Sequence, residues 1–311
     1  MGKISDALEK SIREQNKKED ASLKIGNRPQ ADMAPDFETI KPRNDAGGFS
    51  DDPVSMEKAP PPFEKLDRQL ITGELHPNLI TYYSPHTVEA EQFRIIKTNI
   101  MFPEKGDPPK TIMVTSAVPG EGKSFVAGNL AISLAQNIDN HVLLIDCDMR
   151  LPTIHKLFGF KDSISGLSSY LTGDASLPSL FVKTVIDKLT VLPGGKPPHN
   201  PSELLSSERM AHLLDELKTR YNDRYVVIDT PPPQLTAEAN AIAKRVDGII
   251  LVIKYGSTSR LYIKELVEMF GKDKILGIVF NQFDTKASVG HGYTYGQYGA
   301  YGGYYGNTKK D

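Results

Sequence analysis

One short segment constrains the fold more than any other, because it joins a strand pattern, a glycine-rich loop and a helix pattern without a break. The apolar run Thr111–Thr115 leads into the loop AVPGEGKS, from Ala117 to Ser124, and helical spacing begins at Phe125. Glycines in this context let backbone N–H groups surround a polyphosphate, and the helix N-terminus adds a favourable dipole. Lys123 can reach the β- and γ-phosphates, and Ser124 can bind Mg²⁺. The segment predicts a nucleotide-binding loop, although Ala117 stands where the strict pattern has its first glycine.

The middle of the chain alternates between strand and helix patterns. Continuous β-branched runs, typical of strands buried on both faces of a parallel sheet, occur at Thr111–Thr115, Val142–Asp146, Leu189–Leu192, Tyr225–Asp229, Gly248–Ile253 and Ile275–Phe280. Helical spacing occurs at Thr87–Asn99, Lys123–Gln136, Ser202–Tyr221, Thr236–Lys244 and Ser259–Phe270. This alternation predicts an α/β domain with a doubly wound, mostly parallel sheet of the P-loop NTPase type.

The two ends of the chain differ from the middle. Near the N-terminus, Ile4, Leu8 and Ile12 share one helix face amid balanced charge, which favours docking on a protein over lying on a membrane. The following stretch is rich in Pro, Asp, Asn and Gly, which is typical of a disordered linker. The expected division is a partner-docking helix at 1–20, a linker at 21–77, one folded domain at 78–287 and a flexible tyrosine-rich tail at 288–311.

Charge and cysteine content exclude several classes of function. The chain has 311 residues and a formal net charge of −2, which gives no overall attraction to nucleic acid or anionic lipid. Its one cysteine, Cys147, excludes an internal disulfide, and no basic-then-apolar signal segment opens the sequence. The apolar runs fall far short of the roughly 20 residues that cross a bilayer. We therefore expect a cytoplasmic protein without a nucleic-acid partner.

Carboxylates follow two of the predicted strands. Asp146 and Asp148 end one strand, and Asp229 ends another. Ligands of open parallel sheets bind at the carboxyl ends of the strands, where the nucleotide-binding loop also lies, so these side chains should converge. Mg·ATP needs hard oxygen ligands, and transfer to a hydroxyl group needs a carboxylate that accepts its proton. The pattern therefore predicts phosphoryl transfer.

The end of the sequence is a low-complexity stretch in which tyrosine recurs between Gly, Gln, Ala and Thr. Its tyrosines are Tyr293, Tyr295, Tyr298, Tyr301, Tyr304 and Tyr305. Beside a phosphoryl-transfer site, they are candidate phosphate acceptors. A flexible tail of about 20 residues has a reach of roughly 25 Å, which is enough to enter the site of a neighbouring subunit.

Five stretches of this sequence occur together in one known family. They are AVPGEGKS at 117–124, LIDCDMR at 144–150, LPGGKPPHNPSELL at 192–205, VIDTPP at 227–232 and the terminal tyrosine cluster. In this combination the chain resembles the bacterial tyrosine kinases, the cytoplasmic tyrosine autokinases of polysaccharide biosynthesis and export, over about residues 80 to 305. The resemblance implies a P-loop α/β fold with motifs named Walker A, A′ and B, protein-tyrosine kinase activity, and ATP and Mg²⁺ as cofactors.

The resemblance also implies roles for individual residues. The catalytic set is Lys123 for the phosphates, Asp146 as proton acceptor, and Ser124, Asp148 and Asp229 for Mg²⁺ and its water shell. The residues expected to bind the nucleotide are Pro119, Gly120, Glu121, Gly122, Lys123, Ser124, Phe125, Arg150 and, at the base, Asn281.

An assembly is implied as well. The family carries a Glu-x-x-Arg-x-x-Arg segment at its ring interface, and Glu91, Arg94 and Lys97 occupy these positions. The lysine replaces a fork-shaped guanidinium with a point charge, which weakens that contact. The reach of the tail predicts transfer in trans within the ring. The charge of about −1.5 to −2 that each phosphate adds predicts that phosphorylation disassembles the ring. The resemblance implies a transmembrane polysaccharide chain-length regulator that recruits the chain to the inner face of the plasma membrane, and it is compatible with further protein substrates.

Two other functions use the same sheet. A partition-type or division-site positioning ATPase needs a signature lysine five residues before Lys123, where this chain has Val118. An ATP-binding scaffold without kinase activity, serving as the cytoplasmic partner of the membrane regulator, fits the same motifs. A test for tyrosine phosphorylation distinguishes a kinase from the positioning ATPase and from the scaffold.

Overall fold

The computed structural model describes residues 73–220, 223–233 and 238–283. The strands are β1 (Thr111–Ser116), β2 (His141–Asp146), β3 (Val182–Lys183), β4 (Leu189–Leu192), β5 (Arg224–Asp229), β6 (Gly248–Lys254) and β7 (Ile275–Asn281). The α-helices are α1 (Ile80–Tyr83), α2 (Val88–Met101), α3 (Lys123–Ala135), α4 (Ile154–Leu157), α5 (Leu167–Thr172), α6 (Leu177–Leu180), α7 (Pro201–Leu205), α8 (Glu208–Arg220), α9 (Glu238–Ala243) and α10 (Arg260–Phe270). A 3₁₀ turn at Lys272–Lys274 leads into β7.

The strands form one sheet in the order β3-β4-β2-β5-β1-β6-β7. Neighbouring strands are parallel, and the short β3 is antiparallel to β4. β1 lies between β5 and β6 and is buried along its whole length, so the loop that follows it emerges from the middle of the sheet. The predicted doubly wound, mostly parallel α/β fold is confirmed, with β3 as an antiparallel addition.

Apolar side chains cover both faces of the sheet. Successive residues of β2 divide between the two layers, because Leu143 and Ile145 join one hydrophobic cluster and Leu144 joins the other. Helix α3, which begins at the lysine of the loop, is buried from Val126 to Ala135. Its Gly128 allows Leu79 to approach closely, since a Cβ there would lie 3.2 Å from Leu79 Cδ2. The helix that positions the loop is therefore held firmly in the core.

One predicted helix is two. The segment predicted as Ser202–Tyr221 divides into α7 and α8, with a break at Ser206 and Ser207. The hydroxyl of Ser207 accepts a hydrogen bond from the Met210 N–H and donates one to Leu204 O. A serine that satisfies the free N–H groups of a helix start competes with a continuous helix, which explains the break.

β7 does not have the burial that its sequence predicts. A strand buried on both faces was expected, but burial alternates along β7, and Leu276, Ile278 and Phe280 are exposed. β7 is less buried because it forms the edge of the sheet after β6, so it has a neighbouring strand on one side only. A continuous apolar run therefore does not distinguish an edge strand from a central one.

The folded part begins before Asn78, the predicted start of the domain. Leu75 is buried, and its carbonyl accepts a hydrogen bond from the Tyr83 hydroxyl at 2.7 Å. The His76 N–H donates to Leu157 O at 2.9 Å. Burial of the Leu75 side chain in the hydrophobic core thus makes the last residues of the expected linker part of the folded domain.

Several predicted segments lie outside the described residues. These are the docking helix at 1–20, nearly all of the linker, and the tyrosine tail at 288–311. Within the ranges that the structure describes, no helix is long and apolar enough to cross a membrane.

Candidate active site

The site forms where β1, β2 and β5 end side by side. Val114 of β1 is in register with Asp229 of β5, which is in register with Asp146 of β2. The Cys147 N–H donates to Asp229 O at 2.8 Å and extends the pairing by one residue. Because parallel strands point the same way, the three carboxylates of the predicted site and the phosphate-binding loop meet at this edge.

The loop is shaped to surround an anion. Gly120 and Gly122 have φ of +82° and +90°, a left-handed conformation that favours glycine. The backbone N–H groups from Gly120 to Phe125 have no hydrogen-bond acceptor among the described residues. Successive N–H groups that point into one concavity make an anion-binding nest, and here a helix begins directly behind it. Pro119 is exposed at the outer edge of this loop.

Lys123 joins the loop to the carboxylates. Its Nζ lies 2.7 Å from Asp148 Oδ2 and 3.4 Å from Ser124 Oγ. Burial lowers the pKa of Lys123, but attraction to Asp229, Asp148 and Asp146 outweighs it, and the pKa lies above its ordinary value. The ammonium group therefore stays charged and compensates for the carboxylates around it.

Asp146 and Asp148 organise the turn that follows β2. Asp146 is fully buried, its Oδ1 accepts the Asp148 N–H at 3.1 Å, and its Oδ2 accepts the N–H groups of Thr153 and Ile154, both at 3.0 Å. The Oδ1 atom of Asp148 accepts the Leu151 N–H at 3.2 Å. Burial, with repulsion from Asp229, raises the pKa of Asp146 to about 8. This carboxyl thus holds the turn in place while remaining able to carry a proton near neutral pH.

One carboxylate oxygen of Asp229 accepts a hydrogen bond, and the other has no partner among the described residues. Its Oδ2 accepts a hydrogen bond from Ser124 Oγ at 2.5 Å, whereas its buried Oδ1 has no partner among the described residues. Burial raises the pKa of Asp229 to about 6, although Lys123 and Ser124 oppose the shift. A buried acceptor without a donor is costly and indicates a missing cation, water or proton. Within the same ranges, no set of three or more His, Cys, Asp and Glu side chains is arranged to hold a metal ion unaided.

Glu121 was predicted to bind the nucleotide, but its side chain points into the protein. The carboxylate is buried, with Oε2 accepting the Val118 N–H at 2.9 Å. Its Oε1 accepts the Lys254 N–H at 3.1 Å and the Thr258 hydroxyl. Glu121 therefore ties the loop to the segment between β6 and α10. No local sequence signal connects residues this far apart, so Lys254 and Thr258 were missed.

The end of β7 also contacts the loop. Asn281 Nδ2 donates to Glu121 O at 2.7 Å, and Gln282 Nε2 donates to Gly120 O at 3.2 Å. A Cβ at position 122 would lie 2.1 Å from Asn281 Nδ2, so Gly122 is required for this contact as well as for its φ. Asn281, predicted to contact the base, binds the loop itself in this structure.

The side chains of two other residues that were predicted to bind the nucleotide contact neighbouring helices. Phe125 packs edge-to-face on Phe93 of α2, with ring centroids 5.9 Å apart. The Nη2 atom of Arg150 donates to the Ser202 hydroxyl of α7 at 2.9 Å. Arg150 therefore links the turn after β2 to a neighbouring helix.

The predicted ring-interface residues lie together on α2. Arg94 Nη1 is 2.5 Å from Glu91 Oε2, and Arg94 Nη2 donates to Pro85 O at 2.6 Å. Lys97 lies one turn further along the same helix. The first two side chains are thus paired within the chain.

Comparison with known proteins covers this same region. A family model described as an AAA domain matches residues 109–274. Tyrosine-protein kinase CpsD of Streptococcus agalactiae is 38% identical over 215 residues, which are 68% of this chain and 89% of that protein. Tyrosine-protein kinase YwqD of Bacillus subtilis strain 168 is 38% identical over 218 residues, which are 70% of this chain and 90% of that protein. The solved kinase domain of the Escherichia coli tyrosine kinase ETK is 29% identical with a TM-score of 0.61, covering 69% of this chain and 85% of that structure.

The sequence identity, the shared fold and the length of chain matched therefore all support the family that the motifs indicate. Relatives at this identity match almost their whole length, and the region matched contains the loop, the turn after β2 and the end of β5. The chain belongs to the bacterial tyrosine kinases and is a protein-tyrosine kinase.

Proposed function

We propose that this kinase is an ATP-dependent autokinase that phosphorylates its tail tyrosines in trans, between copies assembled in a ring. The strongest support comes from two contacts: Lys123 forms an ion pair with Asp148, and Ser124 donates a hydrogen bond to Asp229. Both lie beside the backbone N–H groups of the loop, which have no acceptor among the described residues. Such a site suits a polyphosphate, a hard cation and a hydroxyl acceptor. The proposed acceptors are Tyr293, Tyr295, Tyr298, Tyr301, Tyr304 and Tyr305.

ATP fits the loop by charge and by hydrogen bonding. Its phosphates would accept hydrogen bonds from the N–H groups of Gly120 to Phe125, which lack acceptors within the described ranges. Lys123 would exchange its ion pair with Asp148 for the β- and γ-phosphate oxygens. We assign Arg150 and Asn281 to the periphery of this site, where each would act through the segment it holds.

Mg²⁺ fits beside Ser124 and Asp229. The open Oδ1 of Asp229 and the Ser124 hydroxyl are hard oxygen donors, and Asp148 becomes available when Lys123 turns to the phosphates. Mg²⁺ in kinases and ATPases keeps several waters and takes one or two carboxylates plus phosphate oxygens, so a complete protein cage is not needed. When bound, it neutralises charge on the phosphates.

In the transfer step, the phenolic oxygen of tyrosine forms a bond to the γ-phosphorus while the bond from that phosphorus to the β–γ bridging oxygen breaks, and ADP leaves. The phenolic proton passes to Asp146. Its Oδ1 atom accepts a single N–H bond, which leaves acceptor capacity. The ionised form of Asp146, which gains population as pH rises towards its pKa of about 8, is the form that takes the proton.

The assembly and the cellular role rest on the resemblance to the family. We propose that Glu91, Arg94 and Lys97 lie at the ring interface, where Arg94 would share its pairing with a neighbouring copy. A transmembrane polysaccharide chain-length regulator would dock the helix at 1–20 and hold the kinase at the inner face of the plasma membrane. Phosphorylated tails would repel one another, open the ring and so regulate polysaccharide polymerisation and export.

The test uses two full-length variants that complement each other. Lys123→Met serves as an acceptor that cannot transfer phosphate, and a variant with its six tail tyrosines changed to phenylalanine serves as an enzyme without acceptors. Neither should gain phosphotyrosine alone with Mg·ATP. We expect their mixture to phosphorylate the tail of Lys123→Met.

Light scattering before and after ATP tests the ring. We expect a large species that becomes smaller as phosphate accumulates, with the Lys123→Met protein unchanged. Absence of phosphotyrosine in the mixture, including in the presence of the membrane partner's cytoplasmic segment, would contradict transfer in trans. An unchanged mass in the wild-type protein would contradict the proposed disassembly.

A further inference from the structure

The outer edge of β7 has backbone groups without a partner. The sheet ends at β7, which pairs with β6 alone. After a register shift at the start of the strand, pairing is regular from Gly277 to Asn281, whose carbonyl accepts the Tyr255 N–H at 2.9 Å on the β6 side. Alternate residues of a strand direct their N–H and C=O groups to opposite sides, so those of Ile278 and Phe280 point away from β6. These groups have no hydrogen-bond partner among the described residues.

The two edges of the sheet differ in their protection. At the other edge, β3 has only two residues and carries the exposed Lys183. Short strands and lysine side chains keep a sheet edge from pairing with another chain. β7 has seven residues, and neither a charged residue nor a proline occurs from Ile275 to Phe283. β7 therefore has the features of an edge that pairs.

The exposed side chains of β7 form an apolar surface. Leu276, Ile278 and Phe280 are 40%, 37% and 59% exposed and alternate with less exposed residues, so they lie on one face of the strand. The exposed ring of Tyr255 packs edge-to-face against Phe280 and Phe283, with centroids 6.4 Å and 4.5 Å apart. Contiguous exposed apolar surface of this kind marks an interaction site.

We propose that the outer edge of β7 pairs antiparallel with β7 of a second copy, related by a two-fold axis at Ile278. Such an axis makes a surface meet its own copy, so the surface must be self-complementary. The exposed residues satisfy this condition, because Leu276 and Phe280 each lie two residues from Ile278. Ile278 would exchange two backbone hydrogen bonds with Ile278 of the second copy, and Phe280 would lie opposite Leu276 of the second copy. The apolar side chains of the two strands would then contact one another.

The residues that follow β7 in the same chain fit this edge less well. Residues 284–292, DTKASVGHG, contain two charged residues and two glycines, and strands are depleted in both. A second copy instead supplies an apolar strand of equal length. The symmetry of the exposed residues thus favours a second copy as the occupant.

Pairing at β7 leaves the catalytic carboxylates accessible. They lie at the ends of β2 and β5, on the other side of β1 from β6 and β7. The residues assigned to the ring lie on α2. The pairing is therefore a contact between copies in addition to the proposed ring, and it does not depend on that ring.

Light scattering of the full-length protein tests the pairing. The parent for this experiment carries alanine at Glu91, Arg94 and Lys97, which removes the contacts assigned to the ring. We expect it to have twice the mass of one chain at high protein concentration. Ile278→Lys places two like charges opposite each other at the axis, and we expect it to raise the dissociation constant of the dimer about a hundredfold. Leu261→Lys, the same kind of change at an exposed apolar residue of α10, is the matched control and should leave this constant within twofold.

Cross-linking tests the register without adding charge. In the same parent, a short bis-maleimide should join two copies of Ile278→Cys, because the two positions 278 face each other. It should join Leu276→Cys to Phe280→Cys in a mixture, but neither variant to itself. The native Cys147 is buried, so it does not compete for the reagent.

The outcomes separate a second copy from other occupants. A parent with the mass of one chain at every concentration would overturn the proposal, and protection of its Ile278 and Phe280 amides from hydrogen exchange would show that the chain's own residues cover the edge. A dimer that persists in Ile278→Lys, or that gives no cross-link at position 278, would use another surface and would also overturn it. These measurements need no ATP, so their failure leaves the proposed kinase function standing, and absence of autophosphorylation leaves the pairing standing.

Discussion

The phosphate-binding loop and the turn after β2 form the two halves of the active site, and they differ in how far along the chain their stabilising contacts reach. The phosphate-binding loop is recognisable from eight consecutive residues, yet its fixing contacts come from residues 133 to 162 positions away, through Glu121, Asn281 and Gln282. The turn after β2 is held by Asp146 and Asp148, whose bonds reach only 2 to 8 residues along the chain. A motif that is easy to read locally is therefore not necessarily one that is stabilised locally.

Removing the distant support of the loop should have the largest effect. In Glu121→Gln, both side-chain atoms still face N–H donors, so the carboxamide must direct its own N–H at another N–H. An unsatisfied buried group and a lost bond cost about 2–3 kcal/mol of unfolding free energy. We expect the melting temperature to fall by about 5–10 °C and ATP affinity to fall about tenfold. Calorimetry and nucleotide titration measure the two effects.

The exposed Glu265→Gln on α10 is the control for this change and should alter neither quantity. If Glu121→Gln bound ATP as tightly as the parent protein, the loop would be shaped by its own sequence, and the contrast with the turn after β2 would disappear.

The turn after β2 should respond to pH. The folded-state pKa of Asp146 lies at about 8, above its ordinary value of 3.8, so the folded protein binds more protons than the unfolded protein between these values. This contribution to stability is complete below the lower value and is lost as pH rises through about 8, at no more than about 1.4 kcal/mol per pH unit. Denaturant unfolding of the nucleotide-free kinase should show stability falling from pH 5 to pH 8.5.

Asp146→Asn should reduce that slope, because the amide does not titrate, and should leave the part below about pH 6 that comes from the raised pKa of Asp229. The exposed Asp273→Asn should leave the whole slope unchanged. A slope that persists undiminished in Asp146→Asn would assign the pH dependence to other groups and weaken the role given to this carboxyl.

The smallest effect is expected where one of several contacts is removed. Thr258→Val deletes one of the donors to Glu121 and leaves the Lys254 and Val118 N–H groups in place. We expect a loss of about 1 kcal/mol or less and a rise in KM for ATP of no more than about threefold with kcat unchanged. Steady-state kinetics separate the two parameters.

Thr219→Val, at an exposed position on α8, serves as the matched control. An effect of Thr258→Val as large as that of Glu121→Gln would mean that the hydroxyl, rather than the carboxylate as a whole, fixes the loop.

Much of the fold follows from the sequence. The predicted strands match the observed ones to within one residue at each end, because each is a continuous apolar run between polar boundaries. The convergence of Asp146, Asp148 and Asp229 also follows, since the carboxyl ends of parallel strands share one edge of the sheet. Both results depend on local patterns and on a general rule of topology.

What the sequence did not reveal depends on tertiary contacts. The inward direction of Glu121 requires Thr258 to lie next to the loop, and the partial exposure of β7 depends on its place at the sheet edge. The local sequence around Leu75 is typical of a linker, and its burial depends on the hydrophobic core that the rest of the domain forms. Helix breaks such as that at Ser207 depend on whether a side chain caps locally or points to solvent.

Mapping phosphotyrosine by mass spectrometry in the full-length chain after incubation with Mg·ATP, beside Lys123→Met, tests the central claim most directly. The account predicts phosphate on Tyr293 to Tyr305 in the wild-type chain and none in Lys123→Met. Bound ATP without phosphotyrosine in the tail, with and without the membrane partner's cytoplasmic segment, or equal labelling of the two proteins, would contradict it.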